Sequence, residues 1–504
     1  MRPPRLTADD FICAGIAAFA AALTNLSLLS KGYVLEGLAR AIPIELGQFH
    51  SLFNGNYVLY GFLGNCFHHL LRAVGYSGLA VDSLQIMDGL LGGCGIFVFF
   101  LVLRRLRASF FSAFVWSAVL AFSFGYWHWS TEAEDYIFST FLLTLNLLFL
   151  LLYLEDTLRS PVLLGALHAL AVMGHIINGV FAPVVLWFLY CSHPRSWKGP
   201  ALRYLGSAAL MILAVYSSIL WFIIRARAWP RALAWILGDA GMGTSLHWHG
   251  SLHWLGLWQW IRTTLNIFVS FAPSFRTPPA WKFSLVLLPL ACALLAVHCA
   301  AVVLHRRRIA GDDRSVAVAC VLWVLMYALV FTSWEPGTLV YRVSDLVPLC
   351  VLLFLGSRAW PETPGTLGAF APRLLAAAFA VCLCAGNLGS EIYPLSFAAN
   401  NPRLVHMAFL KEHTPAGSWI AGDGGDEINI PYFAARNPVN ITRYLDNPAG
   451  ARNLIDELFR GRQRVFVTSR VLKNPLWTEF LRPYRPELTA LGEDGYGCYE
   501  LHRA

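Results

Sequence analysis

The chain has 504 residues, of which 57% are hydrophobic and only 13% charged, against roughly 25% charged in soluble domains. That balance excludes an ordinary soluble enzyme and describes a polytopic α-helical membrane protein. The net charge of +8 does not point to nucleic acid, because the basic residues cluster at alternate ends of apolar runs, the positive-inside pattern of membrane spans.

Arg2 and Arg5 precede a first span predicted over Asp10–Ser30, which places the N-terminus in the cytoplasm. Its apolar part, Phe11–Leu29, is not read as a cleavable signal, being long and closed by no small-residue cleavage site. Residues 31–83 form a first outer loop. In it Glu36, Glu45, His50, Asn54, Asn56, His68 and His69 are mixed with Leu, Phe and Tyr, a pattern that suits short helices lying in the interface. A second span over Leu84–Leu103 returns to Arg104, Arg105 and Arg107.

The third span, Phe110–Phe124, and the fourth, Ile137–Leu154, flank the stretch Trp127-His-Trp-Ser-Thr-Glu-Ala-Glu-Asp-Tyr136. Glu132, Glu134 and Asp135 therefore sit at the mouth of a span. Charges there are costly to insert and usually have a task; the plainer alternative is a solvated loop. Val162–Cys191 is too long for one span and is interrupted by His175-Ile-Ile-Asn-Gly-Val-Phe-Ala-Pro183. Gly, Asn and Pro break helices, so two short helices meeting at the outer face are expected.

Tyr204–Ile224 goes out again, and Arg225, Arg227 and Arg231 follow it. Three outer arginines oppose the positive-inside rule, so either the topology differs there or they meet something anionic. Residues 226–282 form a second outer or re-entrant loop, with His247-Trp-His249-Gly-Ser-Leu-His253 and the apolar piece Leu257–Phe271. A full span at that piece would put His305 to Arg308 outside, so it is read as interfacial or re-entrant. Spans at Phe283–Leu304, Ser315–Thr332, Val343–Leu355 and Leu374–Asn387 bring the total to about eleven.

Residues 1–389 are thus the transmembrane domain, and 390–504 a small extracytoplasmic α/β domain. Trp419-Ile-Ala, Arg464-Val-Phe-Val-Thr and Cys498-Tyr-Glu-Leu are predicted strands, and Pro402–Glu412 and Ala451–Arg460 predicted helices. Gly422-Asp-Gly-Gly-Asp-Glu427 lacks the ligand register of an EF-hand and reads as a turn. Asn440-Ile-Thr442 fits a glycosylation sequon, a pattern that often arises by chance. The 11 cysteines are scattered, mostly in apolar runs, and Cys382-Leu-Cys384 is too tightly spaced for a zinc pair. No internal repeat is present.

Several of these segments resemble the C superfamily of glycosyltransferases (GT-C), in particular the bacterial branch similar to protein O-mannosyltransferases. Gly32-Tyr-Val-Leu-Glu36 resembles that branch's Gly-Asp-Ser-x-Glu segment. His50 through Tyr57-Val-Leu-Tyr60 and Gly64 resembles its His-Pro-Pro-Gly-Tyr-Pro-Leu-Tyr…Gly segment. Ala133-Glu134-Asp135-Tyr136 resembles its Ala-Glu-Val-Tyr motif. Gly174-His175 with Pro183 resembles a helix break, and Trp334-Glu-Pro-Gly337 a late outer loop. The chain departs at Tyr33, where the family has aspartate, and at Ser51-Leu-Phe-Asn54, which replaces Pro-Pro-Gly.

The resemblance implies an integral membrane enzyme of the bacterial inner membrane. It would move a sugar, with inversion, from a polyprenyl-phosphate donor to a hydroxyl on a protein, lipid or glycan at the outer face. Such transfer needs a carboxylate to take the acceptor proton, positive groups to stabilise the leaving phosphate and an apolar groove among membrane lipids for the tail. Glu36 is the first candidate base. Glu134 is the second, and could instead orient the acceptor or bind a metal. Glu132, Asp135, Tyr136, His50, Tyr57 and His175 are candidate substrate contacts.

Arg225, Arg227 and Arg342 are candidate phosphate ligands, since the guanidinium fork matches phosphate; snorkelling to the interface is the alternative. His247, His249 and His253 are compatible with a divalent metal ion, the one candidate cofactor, without being diagnostic. A transporter or flippase would predict internal symmetry. A non-catalytic scaffold is favoured by Tyr33 and opposed by Glu36 and Glu134.

Overall fold

The computed structural model describes residues 6–237, 254–270, 282, 284–309, 311–360, 371–422, 426–441, 448–475, 477 and 481–503. The chain divides into two compact units. One comprises Met1–Ser30 with Pro43–Ser396, the other Lys31–Ile42 with Phe397–Ala504.

The first unit is a helical bundle. Among the described residues, 8 helices are long and apolar enough to cross a membrane, and 9 if the bent pair Phe110–Phe122 and Phe124–Ser130 is one span. Two shorter apolar helices, Pro161–Gly174 and Ile176–Ser192, complete it. Together these account for the spans expected from the apolar runs.

Small residues let the first two spans, Ala8–Ser27 and Ala80–Arg105, pack backbone to backbone. A side chain added at Gly93 would meet Ala22 Cβ at 2.8 Å and the Ala18 carbonyl at 2.9 Å, the close approach expected where helices associate by packing rather than by the hydrophobic effect. Ion pairs fix the ends. Arg104 reaches Asp10 at 2.5 Å, and Arg105 pairs with Glu155 just past the Asp135–Leu154 helix. The Arg105 and Glu155 ends of these two helices therefore lie together, and the Glu132–Asp135 stretch is at the other end of the bundle.

The 67° bend after Phe122 contains no proline. Ser123 takes an extended conformation, which frees the amides of Phe124 and Gly125 from the helix. Phe124 N–H donates to the Phe268 carbonyl at 3.1 Å and Gly125 N–H to that of Ile267 at 2.7 Å. The carbonyls come from the end of the segment that begins with the Trp254–Asn266 helix, whose last residues Ile267, Phe268 and Val269 are buried. Asn387 Nδ2 donates to the carbonyls of Phe122 and Phe268, at 2.9 and 2.8 Å. Broken backbone inside a bundle needs such partners. The segment expected to be interfacial or re-entrant thus ends inserted at a helix break.

A second polar cluster ties five helices. Asn178 donates to Ser139 Oγ at 2.6 Å and to the Ala171 carbonyl at 2.8 Å, and accepts the Tyr327 hydroxyl at 2.6 Å. Its own carbonyl meets His168 Nε2 at 2.8 Å, and Tyr204 Oη meets His168 Nδ1 at 2.6 Å.

The second unit carries a five-stranded sheet in the order β2-β1-β3-β5-β4. The strands are β1 (Trp419–Gly422), β2 (Asn437–Asn440), β3 (Val465–Thr468), β4 (Tyr484–Leu491) and β5 (Gly497–Arg503). β1 runs parallel to β2 and β3, while β5 is antiparallel to β3 and β4. Side chains alternate between two cores: Ala421, Val465 and Val467 face one, Ile420 and Phe466 the other, as the period of two requires. The helices Pro402–His413 and Pro448–Arg460 match the predicted ones.

The boundary differs from the expected 389/390. The last membrane helix continues to Leu395, so the division falls after Ser396. Lys31–Ile42, expected in the transmembrane domain, groups with the C-terminal unit. Asn401 Nδ2 donates to the carbonyls of Lys31 and Gly32, at 2.7 and 3.1 Å, and Tyr33 packs its ring 5.2 Å from that of Phe433.

Candidate functional site

The acidic stretch is buried. Glu132 is 1% exposed, Glu134 3% and Asp135 0%, so the solvated-loop alternative fails. Thr131 closes the Phe124–Ser130 helix, and Glu134 caps the Asp135–Leu154 helix with extended backbone. The carboxylates stand where the helix dipole presents its positive end, which offsets part of their mutual repulsion.

A fourth carboxylate holds this stretch in place. Asp88, in the third turn of the Ala80–Arg105 helix, is fully buried. Its Oδ2 accepts the backbone N–H of Glu134 at 2.9 Å and the Tyr60 hydroxyl at 2.5 Å. Nothing in the sequence reading singled Asp88 out, although the signal was there: a lone carboxylate within an apolar span is a functional candidate by default.

His175 comes to the same place from the helix break. Its Nδ1 accepts the Ile177 N–H at 3.2 Å, capping the short 3-10 turn Ile176–Phe181. The ring proton is then on Nε2, which faces Asp135 Oδ2 at 3.8 Å. The ring also lies 4.8 Å from that of Tyr136, and Tyr136 in turn 5.7 Å from Tyr341. Arg342 follows. It is completely buried, paired with Asp345 one turn on, with its guanidinium 4.9 Å from the Trp260 ring and 6.0 Å from Phe331. Arg342 is therefore fixed by aromatic faces and a carboxylate rather than snorkelling.

Tyr57 is half-buried and His50 is exposed on the short turn Phe49–Leu52. The intervening backbone is laid on the helix break: Ile176 N–H donates to the Asn56 carbonyl at 2.7 Å and Leu59 N–H to that of Met173 at 3.2 Å. Gly55 has no room for a side chain, since an added Cβ would meet the Trp235 carbonyl at 2.1 Å. Tertiary structure thus joins segments that the sequence separates by more than a hundred positions. Burial holds the His68 imidazole below its ordinary pKa, and its Nδ1 lies 2.9 Å from Ser83 Oγ. A structural part fits it.

Arg225 and Arg227 are exposed beyond the Lys198–Ile224 helix, and Arg225 ends it in a left-handed conformation at φ 54°. Glu36 is exposed and lies in Lys31–Ile42, within the C-terminal unit. His247, His249 and His253 fall outside the described residues. Among the described residues, no group of three or more His, Cys, Asp or Glu is arranged to hold a metal ion.

No protein-family model matches this chain, and no curated protein matches it in sequence. Solved structures do match its fold. ArnT from Cupriavidus metallidurans, crystallised with undecaprenyl phosphate, aligns at a TM-score of 0.60 and 11% identity over 96% of this chain and 97% of that one. The Archaeoglobus fulgidus oligosaccharyltransferase, in complex with Zn and sulfate, aligns at 0.51 and 12% identity, over 97% of this chain and 72% of that one. The chain has the GT-C-type fold, an integral membrane helical bundle with a small C-terminal sheet domain.

Proposed function

We propose that this GT-C-type bundle transfers a sugar from a polyprenyl-phosphate-linked donor to a hydroxyl acceptor at the end where Asp88 and Glu134 meet. The observation that carries the reading is the buried acidic group of Asp88, Glu132, Glu134 and Asp135, since ionisable groups buried in a membrane bundle are costly and are functional candidates by default. The undecaprenyl phosphate bound to the structurally similar ArnT supports the donor class.

In the reaction, a carboxylate takes the acceptor proton as the acceptor oxygen bonds to the anomeric carbon. The bond from that carbon to the phosphate oxygen breaks, and its electron pair stays on the polyprenyl phosphate. Two groups are candidates for the base: Glu36 by its place in the motif, and Glu134 by its fixed seat beside Asp88. Arg342, stripped of water and held over Trp260, is a candidate for the leaving phosphate. Protein, lipid and glycan hydroxyls remain as acceptor classes, and the bacterial inner membrane as the location.

A scaffold role has one observation in its favour. Tyr33, at the family's aspartate position, is committed to packing on Phe433. One assay separates the readings: transfer of radiolabelled sugar from a panel of polyprenyl-phosphate donors by membranes carrying wild type, Glu36→Gln or Glu134→Gln at equal expression. Wild-type transfer that falls by about 100-fold or more in one variant identifies the base. Binding of polyprenyl phosphate with no transfer by wild type refutes catalysis.

A further inference from the structure

At the Arg105–Glu155 end of the bundle, away from the acidic group, a pocket of about 190 Å³ opens between the Phe110–Phe122, Val340–Arg358 and Ala371–Leu395 helices. Arg107, Ser109, Ser112, Arg358, Trp360 and Arg373 contribute its polar and interfacial lining, and none of the described lining residues is acidic. All three arginines are exposed. Arg358 is oriented by Asp313 and by the Leu106 carbonyl. Arg107 is presented by a left-handed turn at φ 63°, closed by its N–H on the Arg104 carbonyl at 2.9 Å. Ser109 Oγ accepts the Ser112 N–H at 3.2 Å, setting the first turn of the Phe110–Phe122 helix at the rim.

We propose that this pocket binds the phosphate of an anionic membrane lipid. Guanidinium forks match phosphate oxygens, and hydroxyls and a helix N-terminus add donors. The volume is below the roughly 300 Å³ at which pockets for drug-sized ligands begin, so it fits a headgroup phosphate and not a whole soluble ligand. The surroundings favour a lipid over free phosphate. Phe111 is 52% exposed and Leu374 58%, so apolar side chains adjoin the arginines where acyl chains would run. Trp360 supplies the amphipathic ring typical of that depth. Basic pockets between helices at the membrane surface recognise anionic headgroups in this way. The site is independent of the transfer reaction.

The test uses the full-length chain in a non-ionic detergent, titrated by calorimetry with dioctanoyl phosphatidylglycerol, dioctanoyl phosphatidylcholine or inorganic phosphate. Phosphatidylglycerol should bind at least about tenfold more tightly than phosphatidylcholine, weakening with added salt. The Arg107→Gln, Arg373→Gln double variant should lose about tenfold or more. Ser112→Leu, which fills the pocket without changing charge, should lose binding as well. Arg195→Gln, an exposed arginine outside the pocket, should bind as wild type does. Thermal midpoints within about 2 °C of wild type show that each variant is folded. Equal affinity for the two lipids, or unchanged binding in both pocket variants, overturns the proposal. Inorganic phosphate binding as tightly as phosphatidylglycerol overturns the lipid as source.

Discussion

Asp88 Oδ2 accepts the backbone N–H of Glu134 at 2.9 Å, which ties the acidic stretch to the third turn of the second membrane helix. The same oxygen accepts the Tyr60 hydroxyl, so one buried carboxylate sets the position of two sequence segments. Its place within an apolar span makes it costly, and its bonds make it necessary.

Replacing Asp88 by alanine removes the acceptor of a buried amide and a buried hydroxyl and should cost about 2–4 kcal/mol of stability, with loss of sugar transfer. Asp88→Asn keeps one acceptor oxygen, so it should cost less than about 1 kcal/mol while removing the ionisable carboxyl. Thermal unfolding in detergent, read beside transfer, checks both. Equal melting of wild type and Asp88→Ala would show that the bonds do not hold the loop.

His175 has two tasks that substitution separates. Asparagine is a good helix-capping residue, so His175→Asn should melt within about 0.5 kcal/mol of wild type, whereas His175→Ala should lose about 1 kcal/mol with the cap. Both remove the ring that faces Asp135 at 3.8 Å and should lower transfer at least about tenfold, within the range of a lost catalytic contact. Full activity in His175→Asn would reduce the histidine to a cap.

Asn178→Leu leaves the Tyr327 hydroxyl without its acceptor and Ser139 without its donor, at buried positions. A loss of about 2–4 kcal/mol is expected, from orphaned groups in a water-poor bundle. The thermal midpoint reads it, and a midpoint equal to wild type would mean that the network adds nothing to the bundle.

The C-terminal unit should weaken in acid. Hydrogen bonding to Arg464 holds the Glu500 carboxyl below its ordinary range, and hydrogen bonding to His406 does the same for Asp494. A carboxylate lowered on folding contributes stability that is complete above its unfolded pKa, about 4, and lost as pH falls through the folded value. Both pairs are partly solvated, so the effect is modest. Hydrogen exchange of β3 and β5, corrected for the intrinsic pH dependence, should rise below about pH 4. Glu500→Gln should flatten that rise, and an unchanged slope would remove the Arg464–Glu500 pair as its source.

Much of the architecture was legible because its signals are local. Run length gave the spans, Gly, Asn and Pro gave the break at His175, and alternation gave β1, β3 and β5. The two strands left unassigned have local reasons for being missed. β2 holds Pro438 at a sheet edge, where proline is tolerated. β4 is an edge strand with mostly exposed side chains, so it lacks the hydrophobic alternation that marks a half-buried strand.

The acidic motif, the helix break and the arginine loop were each visible in the sequence as separate polar interruptions of apolar runs. Their meeting was not. Hydropathy follows from neighbours along the chain, and it determined that this protein lies in a membrane with a folded domain after its last span. Which buried polar groups satisfy one another depends on helices that are distant in sequence. Only the tertiary structure decided that Asp88 holds Glu134, that Arg342 is buried against Asp345, and that the segment bearing Glu36 packs with the C-terminal unit.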